Sequence, residues 1–247
     1  TAVGDGAYKL GTGAENTCIG SNCGAAAMTG NDNTLMGVSA GAALLGGGGN
    51  TLLGRSAGAA MTTGDYNVAI GYQAADAMTG ASGNNVAIGA NSLGTEASGA
   101  DYCVAIGTNA LMTQNDASAV NLAIGKDAGD AITSGTKNVL MGHEAGSGIQ
   151  DDDHNTAVGY QALKTATAGE GNTAIGSLAM GLGATTGSAN TCVGLQSGYD
   201  LTNGHSNVMV GKNSGFNATT GKENVIIGLD ACGLGVLANA ASTQGMY

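Results

Sequence analysis

The chain has 247 residues, of which 46 are glycine, one is phenylalanine and none is proline or tryptophan. Large side chains supply much of the buried area of a globular core, so this composition favours a thin core of small residues. Seven basic against eighteen acidic residues leave a net charge of −11, which disfavours phosphate backbones and anionic lipid as partners. We therefore expect no nucleic-acid binding and no membrane insertion, and no apolar run approaches the ~20 residues that span a bilayer.

One short pattern, Asn-x-x-aliphatic-Gly, recurs along the whole sequence. Its fourteen glycines are spaced 17 or 18 residues apart after a first interval of 16: Gly4, Gly20, Gly37, Gly54, Gly71, Gly89, Gly107, Gly125, Gly142, Gly159, Gly176, Gly194, Gly211 and Gly228. One copy cannot bury its apolar face alone, whereas stacked copies can. The pattern predicts a single repetitive domain over 1–247, an all-β, parallel β-solenoid of about fourteen 17–18-residue turns. Its last turn, 229–247, is degenerate, as expected of a terminal cap.

Asparagine opens twelve of the thirteen copies in which the position can be read, and Cys103 replaces it in the other. Identical side chains at one corner of successive turns can bond to their neighbours above and below. We predict such a ladder, with Asn67, Asn85, Asn155 and Asn172 among its rungs.

Three residues of predicted strand follow the asparagine. The first and third share one face, because side chains alternate along a strand. We predict that this face, with Ile70 and Ile88, fills the core. The middle residues, such as Ala69 and Ala87, would then form a long exposed apolar stripe, which monomers rarely tolerate. We therefore predict a parallel homo-oligomer, with a trimer as the hypothesis.

A tight corner at the glycine comes next, as at Gly71, Gly89, Gly159 and Gly176. Three residues later stands Ala, Ser or Cys in every copy, as at Ala74, which predicts close packing. A short second strand and a looser return complete the predicted turn. A triangular helix of hexapeptides is the alternative, but it needs an aliphatic residue every six positions, and Asp76 follows Ile70 at that distance. Two main strands per turn are therefore preferred.

The motif N-[TV]-A-[IV]-G-x-x-[AS], as in Asn67–Ala74, Asn85–Ser92 and Asn172–Ala179, resembles the repeats of YadA-like trimeric adhesin heads. Residues 155–163, NTAVGYQAL, resemble still more closely the NTAIGYQAL-type repeats of phage tail fibres. The likeness runs through almost every turn. It implies a trimeric parallel β-roll in an extracellular or virion-surface fibre that presents a surface to a cell-surface receptor or glycan.

Few residues indicate chemistry. The five cysteines stand mostly where other copies have Ala or Asn, so we interpret them as small apolar substitutes. The acidic run at 151–153 is typical of a solvated loop, and His143 and His205 are predicted at the surface. We predict no catalytic, cofactor-binding or metal-binding residue, and thus a protein that is not an enzyme.

Three functions fit these observations. The first is the shaft or head of a trimeric tail fibre or adhesin. The second is a self-assembling extracellular filament. The third is an ice-binding solenoid, which requires a flat Thr array facing water. Thr recurs at the first strand position in several copies (Thr17, Thr34, Thr51, Thr156, Thr173, Thr191), but on a face predicted to hold core aliphatics.

Overall fold

The computed structural model describes residues 1–95, 101–116 and 119–232. Over these residues the chain is all-β, without a helix, and consists of short strands linked by turns. The strands are β1 (Ala2–Val3), β2 (Thr17–Ile19), β3 (Thr34–Met36), β4 (Thr51–Leu53), β5 (Val68–Ile70), β6 (Val86–Ile88), β7 (Val104–Ile106), β8 (Leu122–Ile124), β9 (Val139–Met141), β10 (Thr156–Val158), β11 (Thr173–Ile175), β12 (Thr191–Val193), β13 (Val208–Val210) and β14 (Val225–Ile227).

Within each of two compact units the strands stack in chain order as a parallel β-solenoid, with about 13 turns in all, close to the fourteen predicted. The chain divides into two compact units, Thr1–Asn121 and a second that begins at Leu122. Within the first unit, each of β1 to β6 pairs in parallel with the next strand, and Ala69 lies opposite Ala87. Within the second, each of β8 to β13 does the same. The prediction of one domain over 1–247 stays a prediction.

Each strand ends at the motif glycine, whose backbone has a conformation that other residues rarely adopt. Gly71, for example, has φ of +142°. The amide of Ala74 then donates to the Gly71 carbonyl at 3.5 Å, which closes a four-residue turn. The strand is therefore only three residues long, and the chain changes direction at once.

The segment after this turn corrects one prediction. We expected a short second strand, but the described residues have one strand per turn and continue with residues of positive φ. Gln73 and Ala75 have φ of +53° and +52°. A third such position precedes the asparagine, as at Tyr66 (φ +56°). Residues with positive φ bend the backbone of this segment, and its amides still donate hydrogen bonds to adjacent turns. Gln73 N donates to Arg55 O, and Ala75 N donates to Ser92 O.

The core also differs from the expectation. The middle residue of each strand points inward: Ala69 and Leu52 are fully buried and Ala87 is 1% exposed. The flanking residues, Ile70 and Ile88 included, are only half-buried and lie on the outer face. The prediction that Ile70 and Ile88 fill the core is thus wrong, because the interior of a turn is narrow. Larger residues of the return segment occupy that space, including Leu44, Met61, Met78, Ile132, Ile149 and Leu201.

The degenerate last turn predicted for 229–247 falls largely on residues 233–247, which lie outside the described residues. The part that is described continues the repeat, since the amide of Ala231 donates to the Gly228 carbonyl at 3.5 Å.

Candidate functional site

One apolar surface of the described chain is the outer strand face, which we define as the first and third residues of strands β2 to β14. Most of these side chains are half-buried, and several are more open: Met36 is 46%, Met141 39% and Ile227 57% exposed. Their repetition makes a continuous apolar ladder in each unit, because neighbouring strands pair in register. A surface of this kind is typical of an interaction site.

Because the strands pair in register, identical positions align into rows, and the outer strand face has rows of two chemical kinds. Thr17, Thr34 and Thr51 are direct partners on adjacent strands, and so form a hydroxyl and methyl row. Further along the first unit, Ile70 pairs with Ile88 to form a purely aliphatic row. Parallel strands lie about 4.8 Å apart, so each row repeats at that interval.

The asparagines form a buried ladder behind the strands. Oδ1 of Asn50 accepts two hydrogen bonds from Asn67, one from its backbone amide at 2.9 Å and one from Nδ2 at 3.1 Å. Nδ2 of Asn67 also donates to Ser82 O at 2.9 Å, in the return segment. Asn85 repeats the arrangement on Asn67, at 3.0 and 3.1 Å. Each amide group thus ties three segments together, which no other side chain of this size can do.

The ladder is irregular at Cys103 and at Asn155. Cys103 keeps the backbone bond to Asn85 Oδ1, at 2.8 Å, but has no amide group of its own. In the second unit, the backbone amide of Asn172 donates to Asn155 Oδ1 at 2.9 Å, and Nδ2 of Asn172 donates to Gly187 O at 2.9 Å. Nδ2 of Asn155 is buried without a hydrogen-bond partner in the described part of the chain.

The motif glycines form a column of close backbone contacts. A Cβ on Gly71 would lie 2.5 Å from Gly89 O, and one on Gly159 would lie 2.6 Å from Gly176 O. Gly89 and Gly176 both have φ of +132°. Glycine is therefore required at this position for two reasons: the close approach of the next turn leaves no room for a Cβ, and the positive φ is one that other residues rarely adopt.

The small position lies directly beside this column, inside the turn. Ala74 is fully buried, and so is its counterpart Ser92, whose hydroxyl donates to Gly89 O at 3.0 Å. Only small residues occur at this position because the corner of the turn is already filled and leaves no room for a larger side chain.

One surface cluster brings together residues that the sequence left separate. Ligand atoms of Asp127, His143 and Glu144 lie within 4.8 Å of one another, a set that can coordinate a metal ion. Lysines already neutralise the carboxylates, since Lys126 pairs with Asp127 and Lys164 with Glu144. The predicted surface location of His143 agrees with this position; sequence spacing could not place Asp127 beside it, because they come from different turns.

The acidic run at 151–153 is divided between exposed and buried positions. Asp151 is exposed, and hydrogen bonds from Thr133 and Ser134 lower the pKa of its carboxyl. Asp152 is buried, and burial raises its pKa. Its Oδ1 accepts from the amide of Gly169 at 2.8 Å, while its Oδ2 has no partner among the described residues. Asp152 is therefore a structural position within the turn rather than part of a solvated loop.

Comparison with known proteins finds no family model, no curated protein and no solved structure that matches this chain. Among the described residues there is no helix that is long and apolar enough to cross a membrane.

Proposed function

We propose that this chain is a non-enzymatic structural protein, the shaft or head of a trimeric extracellular or virion-surface fibre of the tail-fibre or adhesin type. In this role it displays a surface to a cell-surface receptor or glycan. The observation that supports the proposal is the outer strand face, a long ladder of half-exposed aliphatic side chains on a rigid, repetitive frame.

The occupant that best fits the outer strand face is a second copy of the same chain. Its rows repeat at about 4.8 Å, and a parallel copy offers rows with the same interval. Side chains such as Ile70 and Ile88 can therefore interdigitate along several consecutive turns. The interface differs from the one expected from the sequence, which would have buried Ala69 and Ala87 between chains.

Native mass spectrometry and light scattering test the proposal directly. We expect a particle of three times the 23.7 kDa chain mass. Ile70→Lys with Ile88→Lys places two charges on the outer strand face and should yield monomers. Thr63→Lys with Ala81→Lys adds the same charge at exposed return positions and should leave the trimer intact. A monomeric wild-type protein at micromolar concentration would refute the assembly.

Electron microscopy separates this role from the filament alternative. Particles of one length support a defined fibre segment, whereas filaments of indefinite length support end-to-end self-assembly.

A second candidate function, ice binding, is favoured by one observation. Thr17, Thr34 and Thr51 lie in register on the outer strand face, and not on a face that fills the core. Thermal hysteresis at millimolar protein concentration tests this function, with Thr34→Lys expected to abolish it. The two functions compete for the same surface, because a trimer that buries the outer strand face leaves no array for ice.

A further inference from the structure

The second turn contains two cysteines that both lie in its interior. Cys18 is the middle residue of β2, Cys23 occupies the small position of the same turn, and both are fully buried. Cys23 Sγ donates to Leu35 O at 3.3 Å. Both are free thiols. No other copy of the repeat has cysteine at both positions; the corresponding pair in the twelfth copy is Cys192 and Ser197.

We propose that Cys18 and Cys23 form an intrachain disulfide when the protein folds in an oxidising environment, before the turn closes over the thiols. The four-residue turn that joins them is closed by a hydrogen bond from Cys23 N to Gly20 O at 3.3 Å, which holds the two side chains on the same inner face. Gly24 follows with φ of +53°, and a Cβ there would lie 3.0 Å from Cys18 Sγ. Cys18 Sγ therefore packs against the residue that directly follows Cys23.

The reaction is a two-step thiol–disulfide exchange with glutathione disulfide. The Cys18 thiolate attacks one sulfur of the oxidant, which forms a mixed disulfide and releases one glutathione thiolate. Cys23, on losing its proton, attacks the Cys18 sulfur and releases the second. The protein dithiol loses two electrons and two protons, and one glutathione disulfide becomes two glutathione thiols.

The order of attack does not affect the product, because exchange started by either thiolate ends in the same bond. The bond would fasten the corner of the second turn, and this inference holds whether or not the chain forms a fibre.

The test is refolding of the full chain from urea into a glutathione redox buffer, followed by denaturation and thiol alkylation. The reduced protein has five cysteines to alkylate. We expect three after oxidation, with a mass loss of about 2 Da before alkylation and a peptide map that joins residue 18 to residue 23. Five alkylated thiols, or a crosslink to another cysteine, would overturn the proposal.

Two further measurements separate a preorganised pair from mere closeness in sequence. At one glutathione ratio, the oxidised fraction should be higher in native protein than in urea, and an equal or lower native fraction counts against the proposal. Ser197→Cys builds the same pair around Cys192, and we expect it to crosslink as well. Cys23→Ala, which leaves Cys18 without a partner, should form no intrachain bond.

Discussion

Leu52 and Gly58 share one space inside a turn: a Cβ on Gly58 would lie 2.8 Å from Leu52 Cδ1. The same exclusion relates Leu140 to Gly146, at 2.6 Å. Copies with a small middle residue reverse the sizes, as in the pairs Ala87 and Leu93, Ala105 and Leu111, Ala157 and Leu163, and Ala174 and Met180. Ala69 with Ala75 and Ala123 with Gly129 are exceptions, because both members of these pairs are small. Two positions six residues apart thus share one interior space, and close packing allows a large residue at only one of them.

This relationship predicts a compensating double mutant. Gly58→Leu should cost about 1–3 kcal/mol of stability through overpacking. Backbone strain adds little to this cost, because Leu93 has a similar positive φ at the equivalent position. Leu52→Ala should cost about 2–5 kcal/mol by leaving a cavity. Together they reproduce the Ala87 and Leu93 pair, so urea denaturation should show a coupling of at least about 1 kcal/mol. Additive losses would contradict the shared volume.

The motif glycine should tolerate no side chain. Gly71→Ala places a methyl group 2.5 Å from a backbone carbonyl, which cannot rotate away, and should cost at least about 2 kcal/mol. Gly80→Ala is the control, because Gly80 also has positive φ (+85°) but no atom within 4 Å of the added Cβ. It should cost only about 1 kcal/mol, from backbone strain. Equal losses in thermal unfolding would mean that stacking is not the constraint.

Removal of one ladder rung should destabilise its neighbours. Asn67→Ala deletes the amide that bonds to Asn50 and Ser82, and it leaves the two donors of Asn85 without their acceptor. Buried groups left unpaired make a loss of about 2–4 kcal/mol the expected result in chemical denaturation. Asn203→Ala, at an exposed return position, should change stability by less than about 0.5 kcal/mol. Comparable losses in the two variants would argue against the ladder.

At the small position, we expect stability to depend on the size of the side chain and not on its polarity. Ala74→Leu overfills a corner with no exposed surface and should cost about 1–3 kcal/mol per chain. Ala74→Ser should be tolerated, because Ser92 occupies the equivalent place with its hydroxyl bonded to Gly89 O. Melting curves of the two variants decide the matter, and an unchanged Ala74→Leu curve would mean that the corner has spare room.

Two adjacent carboxyls should respond to pH with opposite signs. Burial raises the pKa of Asp152 above its ordinary value of 3.8, so the folded state holds this proton more tightly than the unfolded chain. Its contribution to stability is present at low pH and lost as pH rises through that range. Asp152→Asn keeps an acceptor for Gly169 N and should therefore raise the melting temperature at pH 7, by an amount that shrinks toward pH 3.

Asp151 supplies the control. Hydrogen bonds from Thr133 and Ser134 lower its pKa below 3.8, so its contribution is present above that value and lost as pH falls. Asp151→Asn should lower the melting temperature at pH 7, and the difference should shrink in acid. The same sign for both variants would contradict the assignment.

Repetition, the asparagine ladder and the two restricted positions could be predicted from the sequence, because each has a local cause. Gly71 and Ala74 are invariant in type for reasons of conformation and space that act within one or two turns. The inner face of the strand could not be predicted in the same way. Alternation separates Ile70 from Ala69 but does not say which of them faces the interior, and the larger residue is the natural choice.

The sequence does contain a signal that identifies the inward-facing residue of each strand. It is the relation in size between the middle residue of the strand and the residue six positions later. Leucine at the strand centre goes with glycine six residues later, which only side chains sharing one interior would require. The missing second strand has a similar cause: Gln73 and Ala75 carry no obvious mark of positive φ, although Asn at equivalent positions, such as Asn91 and Asn109, tolerates it. Cys18 and Cys23 gain meaning only when the turn between them is known.

The shared acceptor of the asparagine ladder has a consequence for how the protein forms. A single turn leaves its amide group without the neighbours on either side, and only a second turn supplies them. Later turns gain the same bonds on a template that already exists, so the first few turns are the costly step. Folding then resembles the growth of a polymer, with a slow nucleus and rapid elongation from it.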